Sequence, residues 1–194
     1  MKIDEISLLV TVSPKVSLRL LEQELHRRGY TLGYLPASTH SALTLQEALE
    51  KKIPNQQALR YGEIDTLCVS LKAKLRLTKK IVTTRNVPRS ATGPDFKKIL
   101  IGSKRRYGKI EEATLRINSL PEKRVHLKLL WKSKVDKERF LKHFWALGVR
   151  PVSLKSEKKA VLIQLEGLKT IVRAERDALK QTCLQFKGQW RESL

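Results

Sequence analysis

The residues in this chain best suited to chemistry are its cations, and they are unevenly spread. Between Asp65 and Asp95 no acidic residue interrupts Lys72, Lys74, Arg76, Lys79, Lys80, Arg85 and Arg89. Lys97, Lys98, Lys104, Arg105, Arg106 and Lys109 continue the run. A face so dense in ammonium and guanidinium groups suits a polyanion, because each phosphate it neutralises releases condensed counterions. The blander reading is an outer sheet face or edge strand kept soluble by lysine. No aromatic residues interleave with the strand lysines to stack unpaired bases, which favours the blander reading and leaves the polyanion groove as its alternative.

Other reactive groups are sparse. His26, His40, His126 and His143 fall in different elements, and none stands at metal-ligand or triad spacing from a Cys, Asp or Glu. His40, close to Ser38, is the least bland of them. Cys68 and Cys183 stand alone, which points to a reduced, cytoplasmic protein. There is no nucleophile motif, G-x-G-x-x-G or P-loop, so no catalytic or metal-binding residue is assigned.

The elements that would position the cations can be read from period and punctuation. With 194 residues, 41% hydrophobic and 30% charged, the chain suits one large domain or two small ones. No apolar run approaches a membrane span and no signal peptide opens the sequence. Ile6 to Val12 reads as a strand, and Leu18, Leu21 and Leu25 as a helix stopped by Gly29. Leu43, Leu45, Ala48 and Leu49 recur at helical spacing. Leu67 to Leu77 alternates, with Val69, Leu71, Ala73, Leu75 and Leu77 on one face and Lys72, Lys74 and Arg76 on the other. Thr78-Lys79-Lys80 then turns the chain back into Ile81–Thr84. Arg89 to Asp95 is a loop, because Gly93-Pro94 cannot sit inside a helix or a central strand. Asp95 caps a short helix from Phe96 to Leu100. Gly102-Ser103 and Gly108 bracket a tight basic loop, and Glu112 to Ile117 is extended.

The pattern changes at Pro121-Glu122, which sets domains of 1–122 and 123–194. In the second, Val125–Trp131 reads as a strand. A helix capped by Asp136 runs through Leu147, with Phe140, Phe144 and Trp145 directed to the core. Pro151–Leu154 and Ala160–Leu165 read as strands, and Leu168–Phe186 as a helix. That β-α-β-β-α order is most of a ferredoxin-like unit, and the fold class is α+β.

The segment Pro88-Arg89-Ser90-Ala91-Thr92-Gly93-Pro94-Asp95-Phe96 resembles the P-R-x-A-T-G-P-D-L segment of the FAD-linked oxidase family. Gly102-Ser103, Gly108, Ile110 and Glu112-Ala113-Thr114-Leu115-Arg116 match that family's G-S-E-G-T-L-G-I-I-T-E-A-T-L-R segment. Arg28-Gly29-Tyr30-Thr31-Leu32-Gly33 and Tyr61-Gly62-Glu63-Ile64-Asp65 fit further family signatures. The resemblance implies the second half of a PCMH-type FAD-binding domain, followed by a partial ferredoxin-like cap. It implies oxidoreductase ancestry and FAD as cofactor, facing Pro36, Ser38, Thr44, Gly102, Ser103, Gly108 and Ile110.

The chain departs from the family at the residues meant to approach that cofactor. Gln46 and Glu47 stand where the family has glycines, Glu50-Lys51 replaces an Ala-Thr pair, and Lys104-Arg105-Arg106-Tyr107 replaces Glu-Gly-Thr-Leu. The expectation is FAD binding that is weak or lost. Activity is then impaired, or depends on a partner chain supplying the first flavin subdomain. Were flavin held, Lys104 and Arg106 would pair with its phosphate or its reduced anion.

Overall fold

A computed structural model describes residues 1–37, 42–84 and 95–193. The loop signature 85–94, with Arg85 and Arg89, lies outside the described residues, as do Ser38 and His40. The chain divides into two compact units, Met1–Leu120 and Pro121–Leu194.

In the first unit, β1 (Lys2–Asp4) and β2 (Leu9–Val12) form a hairpin. The run from Ile6 is therefore shorter as a strand than its apolar composition suggests. Asp4 Oδ1 accepts the N–H groups of Ile6 and Ser7 at 3.1 and 3.0 Å, turning the chain there and leaving Ile6 exposed. Helix α1 (Leu18–Arg27) buries Leu18, Leu21 and Leu25, and Gly29 follows it at φ +80°. After the short strand β3 (Tyr30–Thr31) come α2 (Leu45–Lys51), α3 (Ala58–Tyr61) and α4 (Ile64–Leu67). Then follow β4 (Cys68–Leu75), β5 (Ile81–Thr83), α5 (Phe96–Leu100), β6 (Gly108–Arg116) and β7 (Asn118–Ser119).

The main sheet is antiparallel, in the order β1-β2-β6-β4-β5. Val10, Leu71, Ala73, Ile110, Ala113 and Leu115 form its buried side, packed in one core with the leucines of α1 and α2. The β4–β6 ladder shifts register twice, between Cys68 and Ser70 and between Lys72 and Ala73. The second shift places two residues of β6 opposite one step of β4, and bulges of this kind re-aim side chains. Beyond it, Lys74 lies directly opposite Lys109 and Leu75 opposite Gly108. Strand β4 ends at Leu75, so Leu77 leaves the inward face assigned by alternation and is 94% exposed in the turn.

The second unit holds β8 (Lys123–Leu130), α6 (Lys134–Phe144), β9 (Ser153–Ser156), β10 (Ala160–Gly167), α7 (Lys169–Gln185) and β11 (Gln189–Ser193). Its antiparallel sheet runs β11-β8-β10-β9. The cap of α6 is Ser133, whose hydroxyl accepts from Asp136 N at 3.4 Å; Asp136 itself lies inside the first turn. The helix ends at Phe144, and a 3₁₀ turn over Trp145–Leu147 leads to Gly148 at φ +69°. Trp145 is thereby turned out to 58% exposure, while Phe140 and Phe144 are fully buried. Strand β11 extends the element order read from the sequence.

All three tryptophans, Trp131, Trp145 and Trp190, belong to this second unit, so tryptophan fluorescence reports its unfolding. Phe140 packs on Trp131 at a centroid separation of 4.8 Å. Phe140→Ala is expected to cost about 3–5 kcal/mol in urea unfolding followed by tryptophan emission, as a fully buried phenylalanine should.

Candidate functional site

Helix α2 begins with a capping box. Thr44 Oγ1 accepts from Glu47 N at 3.2 Å, and Glu47 Oε2 accepts from Thr44 N at 3.1 Å. The remaining N–H groups of the first turn are also engaged. Leu45 N donates to Val16 O at 3.0 Å, Gln46 N to Pro14 O at 2.7 Å and Ala48 N to Thr44 O at 3.1 Å. Apolar Leu45, Ala48 and Leu49 are fully buried, which explains why the segment is helical.

On the same helix the Glu50 carboxylate is largely enclosed. It accepts from Gln46 Nε2 at 2.7 Å and takes both of its oxygens to Arg105 Nε, at 2.8 and 2.9 Å. The backbone adds Lys104 N to Glu50 O at 3.1 Å and Gly102 N to Leu49 O at 2.8 Å. The loop after α5 is thus stapled to the end of α2. Lys104 and Arg105 occupy the left-handed region in succession, at φ +50° and +65°. For non-glycine residues each costs about 1–2 kcal/mol, a cost the staple offsets.

With Arg105 held, the other cations of this region face solvent. Lys74, Arg76, Lys79, Lys104, Arg106 and Lys109 are all exposed, and none makes an ion pair with a described carboxylate. Like charges directly opposite on paired strands, as Lys74 and Lys109 are, destabilise a sheet by a few tenths to about 1 kcal/mol. Lys74, Arg76, Lys79, Arg105 and Lys109 line a hollow of about 500 Å³. Arg76, Lys104, Arg106, Tyr107 and Ile99 line a neighbouring one of about 650 Å³. Arg76 is common to both, and its N–H donates to Tyr107 O at 2.8 Å.

The residues that sequence resemblance assigned to a cofactor have separate placements. Pro36 bridges to Asn55, and its carbonyl accepts from Gln56 Nε2 at 3.3 Å. Thr44 is the α2 cap, and Ser38 lies outside the described residues. Gly102, at φ +79°, turns the chain out of α5, and Ser103 Oγ donates to Leu100 O at 2.8 Å. Gly108 is required by close packing: a Cβ there would stand 2.7 Å from Lys74 O. Ile110 is buried in the core. Gly102, Ser103, Gly108 and Ile110 share the loop and strand around the basic hollows, whereas Pro36 belongs to the segment organised by Asn55. Asn55 is buried and fully engaged, donating to Gly33 O and Gly62 O and accepting from Leu35 N and Gln57 N. Sequence reasoning missed the Glu50–Arg105 pair and the position of Tyr107.

Among the described residues no group of His, Cys, Asp and Glu side chains could hold a metal, and no helix is long and apolar enough to cross a membrane. Cys68 and Cys183 are free and buried, and burial pushes the Cys68 thiol up to about 12 and the Cys183 thiol to about 11. Neither is a poised nucleophile.

The α+β architecture with antiparallel sheets matches the FAD-binding fold of alkyldihydroxyacetonephosphate synthase. One solved structure of that enzyme superposes with a TM-score of 0.81 at 20% identity, covering 98% of this chain and 40% of the other. No family model matches the sequence. The homologues include an FAD-linked oxidoreductase and alkyldihydroxyacetonephosphate synthases. The chain is 30% identical over 150 residues to the uncharacterized FAD-linked oxidoreductase YgcU of Escherichia coli K12, which takes in 77% of this chain and 31% of that protein. It is 32% identical over 103 residues to the alkyldihydroxyacetonephosphate synthase of Caenorhabditis elegans, 53% of this chain and 17% of that enzyme. The chain thus spans less than a third of the length of these curated relatives.

The relatives imply FAD in the family, and the first turn of α2 offers no free backbone N–H to a phosphate. Every N–H from Thr44 to Ala48 is already bonded within the protein, and the carboxylates of Glu47 and Glu50 stand on the same helix. A phosphate cradle needs free backbone N–H groups and tolerates no carboxylates beside them.

The Glu47 carboxyl is held below its ordinary value by the Thr44 backbone N–H and hydroxyl. A carboxyl depressed in the folded state stabilises fully above its unfolded pKa, and that contribution is lost as pH falls through the folded value. Thr44→Ala is expected to lower stability by about 1 kcal/mol at neutral pH. It should also make the acid limb of a plot of urea midpoint against pH shallower without abolishing it, because Glu47 loses the hydroxyl but keeps the backbone N–H that is the main cause of its lowered pKa.

Proposed function

We propose that this chain is an FAD-linked-oxidase-type scaffold without flavin chemistry of its own. Oxidoreductase in ancestry, it acts by binding. Any hydride transfer requires a flavin cradle supplied by a partner chain, since such chemistry belongs to the cofactor and the protein supplies only position and electrostatics. The observation that carries this reading is the closed hydrogen-bond account of the first turn of α2. The family's glycines there would let backbone approach a ligand; in this chain the same positions carry side chains and their amides serve the fold.

The topology of each unit supports finer assignments. We read the first unit as the second half of a PCMH-type domain. We read the second as a ferredoxin-like cap, a reading supported by its strand order β11-β8-β10-β9 and its two helices. Free, buried Cys68 and Cys183 suit a reducing compartment, and we assign the protein to the cytoplasm.

The test is direct. Protein purified from flavin-replete cells is expected to be colourless, with no thermal shift on adding FAD. Stoichiometric bound flavin, seen as visible absorbance that survives gel filtration, would overturn the reading.

A further inference from the structure

We propose that the first unit binds single-stranded nucleic acid along the groove formed by the β4–β5 turn and the Gly102–Lys109 loop. The inference goes beyond the flavin reading and stands on different residues. Four observations converge on it.

The first is the absence of internal partners. Lys74, Arg76, Lys79, Lys104, Arg106 and Lys109 come from two separate segments, face the same two hollows, and have no described carboxylate paired with them. A lysine-rich solubilising face has no need to bring two segments together.

The second is register. The shift at Lys72/Ala73 sets Lys74 directly across from Lys109, an arrangement that repels in the free protein and is relieved by an anion lying between the strands. The third is the fixed loop backbone. Glu50 holds Arg105 and the N–H of Lys104, so Lys104 and Arg106 are presented from a loop already in place, with less ordering to be lost on binding.

The fourth observation settles which anion. Tyr107, 49% exposed, lines the larger hollow together with Arg76, Arg106 and Ile99, the last 42% exposed. Sequence alone showed no aromatic among the strand lysines; the fold brings one to them from the loop. A cationic track with an accessible aromatic ring is the arrangement that holds an unpaired base on its face and the backbone on either side. A duplex keeps its bases stacked and offers Tyr107 none. The two hollows share Arg76, so the track is continuous and accommodates successive phosphates.

The experiment is fluorescence anisotropy of the full chain with a labelled oligothymidylate strand, titrated at several salt concentrations. The expected result is binding that weakens steeply between about 50 and 200 mM salt. Lys104→Glu with Arg106→Glu should abolish measurable binding. Lys158→Glu with Lys159→Glu, an equal charge change in the exposed turn before β10, should leave most of it. Tyr107→Ala should weaken the oligonucleotide about tenfold, yet leave binding of inorganic polyphosphate, which has no bases, unchanged. Unchanged urea midpoints for the variants would show that they fold.

Equal losses from the two charge-reversal pairs would overturn the proposal in favour of non-specific attraction. So would an unchanged oligonucleotide affinity in Tyr107→Ala, or tighter binding of duplex than of single strand. FAD added as competitor separates this proposal from the previous one. Displacement of the strand by FAD would overturn both. Flavin binding without displacement would overturn only the earlier reading.

Discussion

The carboxylate of Glu50 is the constraint on which the site depends. Enclosed on α2, it is bonded by Gln46 from its own helix and by both contacts of Arg105 from a loop 55 residues away. A carboxylate this enclosed needs partners that complete its hydrogen bonding, and the arginine supplies them. Because Arg105 must reach Glu50, the loop is drawn onto the end of α2. Lys104 and Arg105 are forced into left-handed backbone, and Lys104, Arg106 and Tyr107 are turned outward. One buried charge thereby fixes the loop against α2 and leaves a cationic surface beside it.

That coupling is built on an architecture that matches the FAD-binding fold of alkyldihydroxyacetonephosphate synthase. The frame rests on α1 packed against the sheet, the Asn55 hub that ties Gly33 to Gly62, and the tight contact of Gly108 against β4. On this scaffold Glu47 serves the helix cap, while Gln46 and Glu50 serve the hydrogen-bonded pair with Arg105.

Much of the architecture was legible in the sequence because period and punctuation are local. The alternation through β4, the leucine stripe of α1, the Asp95 cap of α5 and the glycine stop after α1 each follow from a few neighbouring residues. What escaped is non-local or finely balanced. Alternation does not reveal bulges, so the Lys74–Lys109 opposition was invisible, and Leu77 was wrongly placed inward. The Ser133 and Asp136 caps compete within one turn, and the hydroxyl wins by position. Strand β11 carries a single large apolar residue, Trp190, and is a strand only because β8 offers it an edge. Glu50 read only as a replacement at a residue meant to approach a cofactor; that it organises the loop depends on a partner 55 residues distant.

The central claim is that the amides opening α2 serve the fold rather than a cofactor, and backbone hydrogen exchange measures this directly. Amides of Leu45, Gln46, Glu47 and Ala48 should be protected in the protein alone and unchanged when FAD is added. Rapid exchange of these amides in the free protein, followed by protection on adding FAD, would contradict the account.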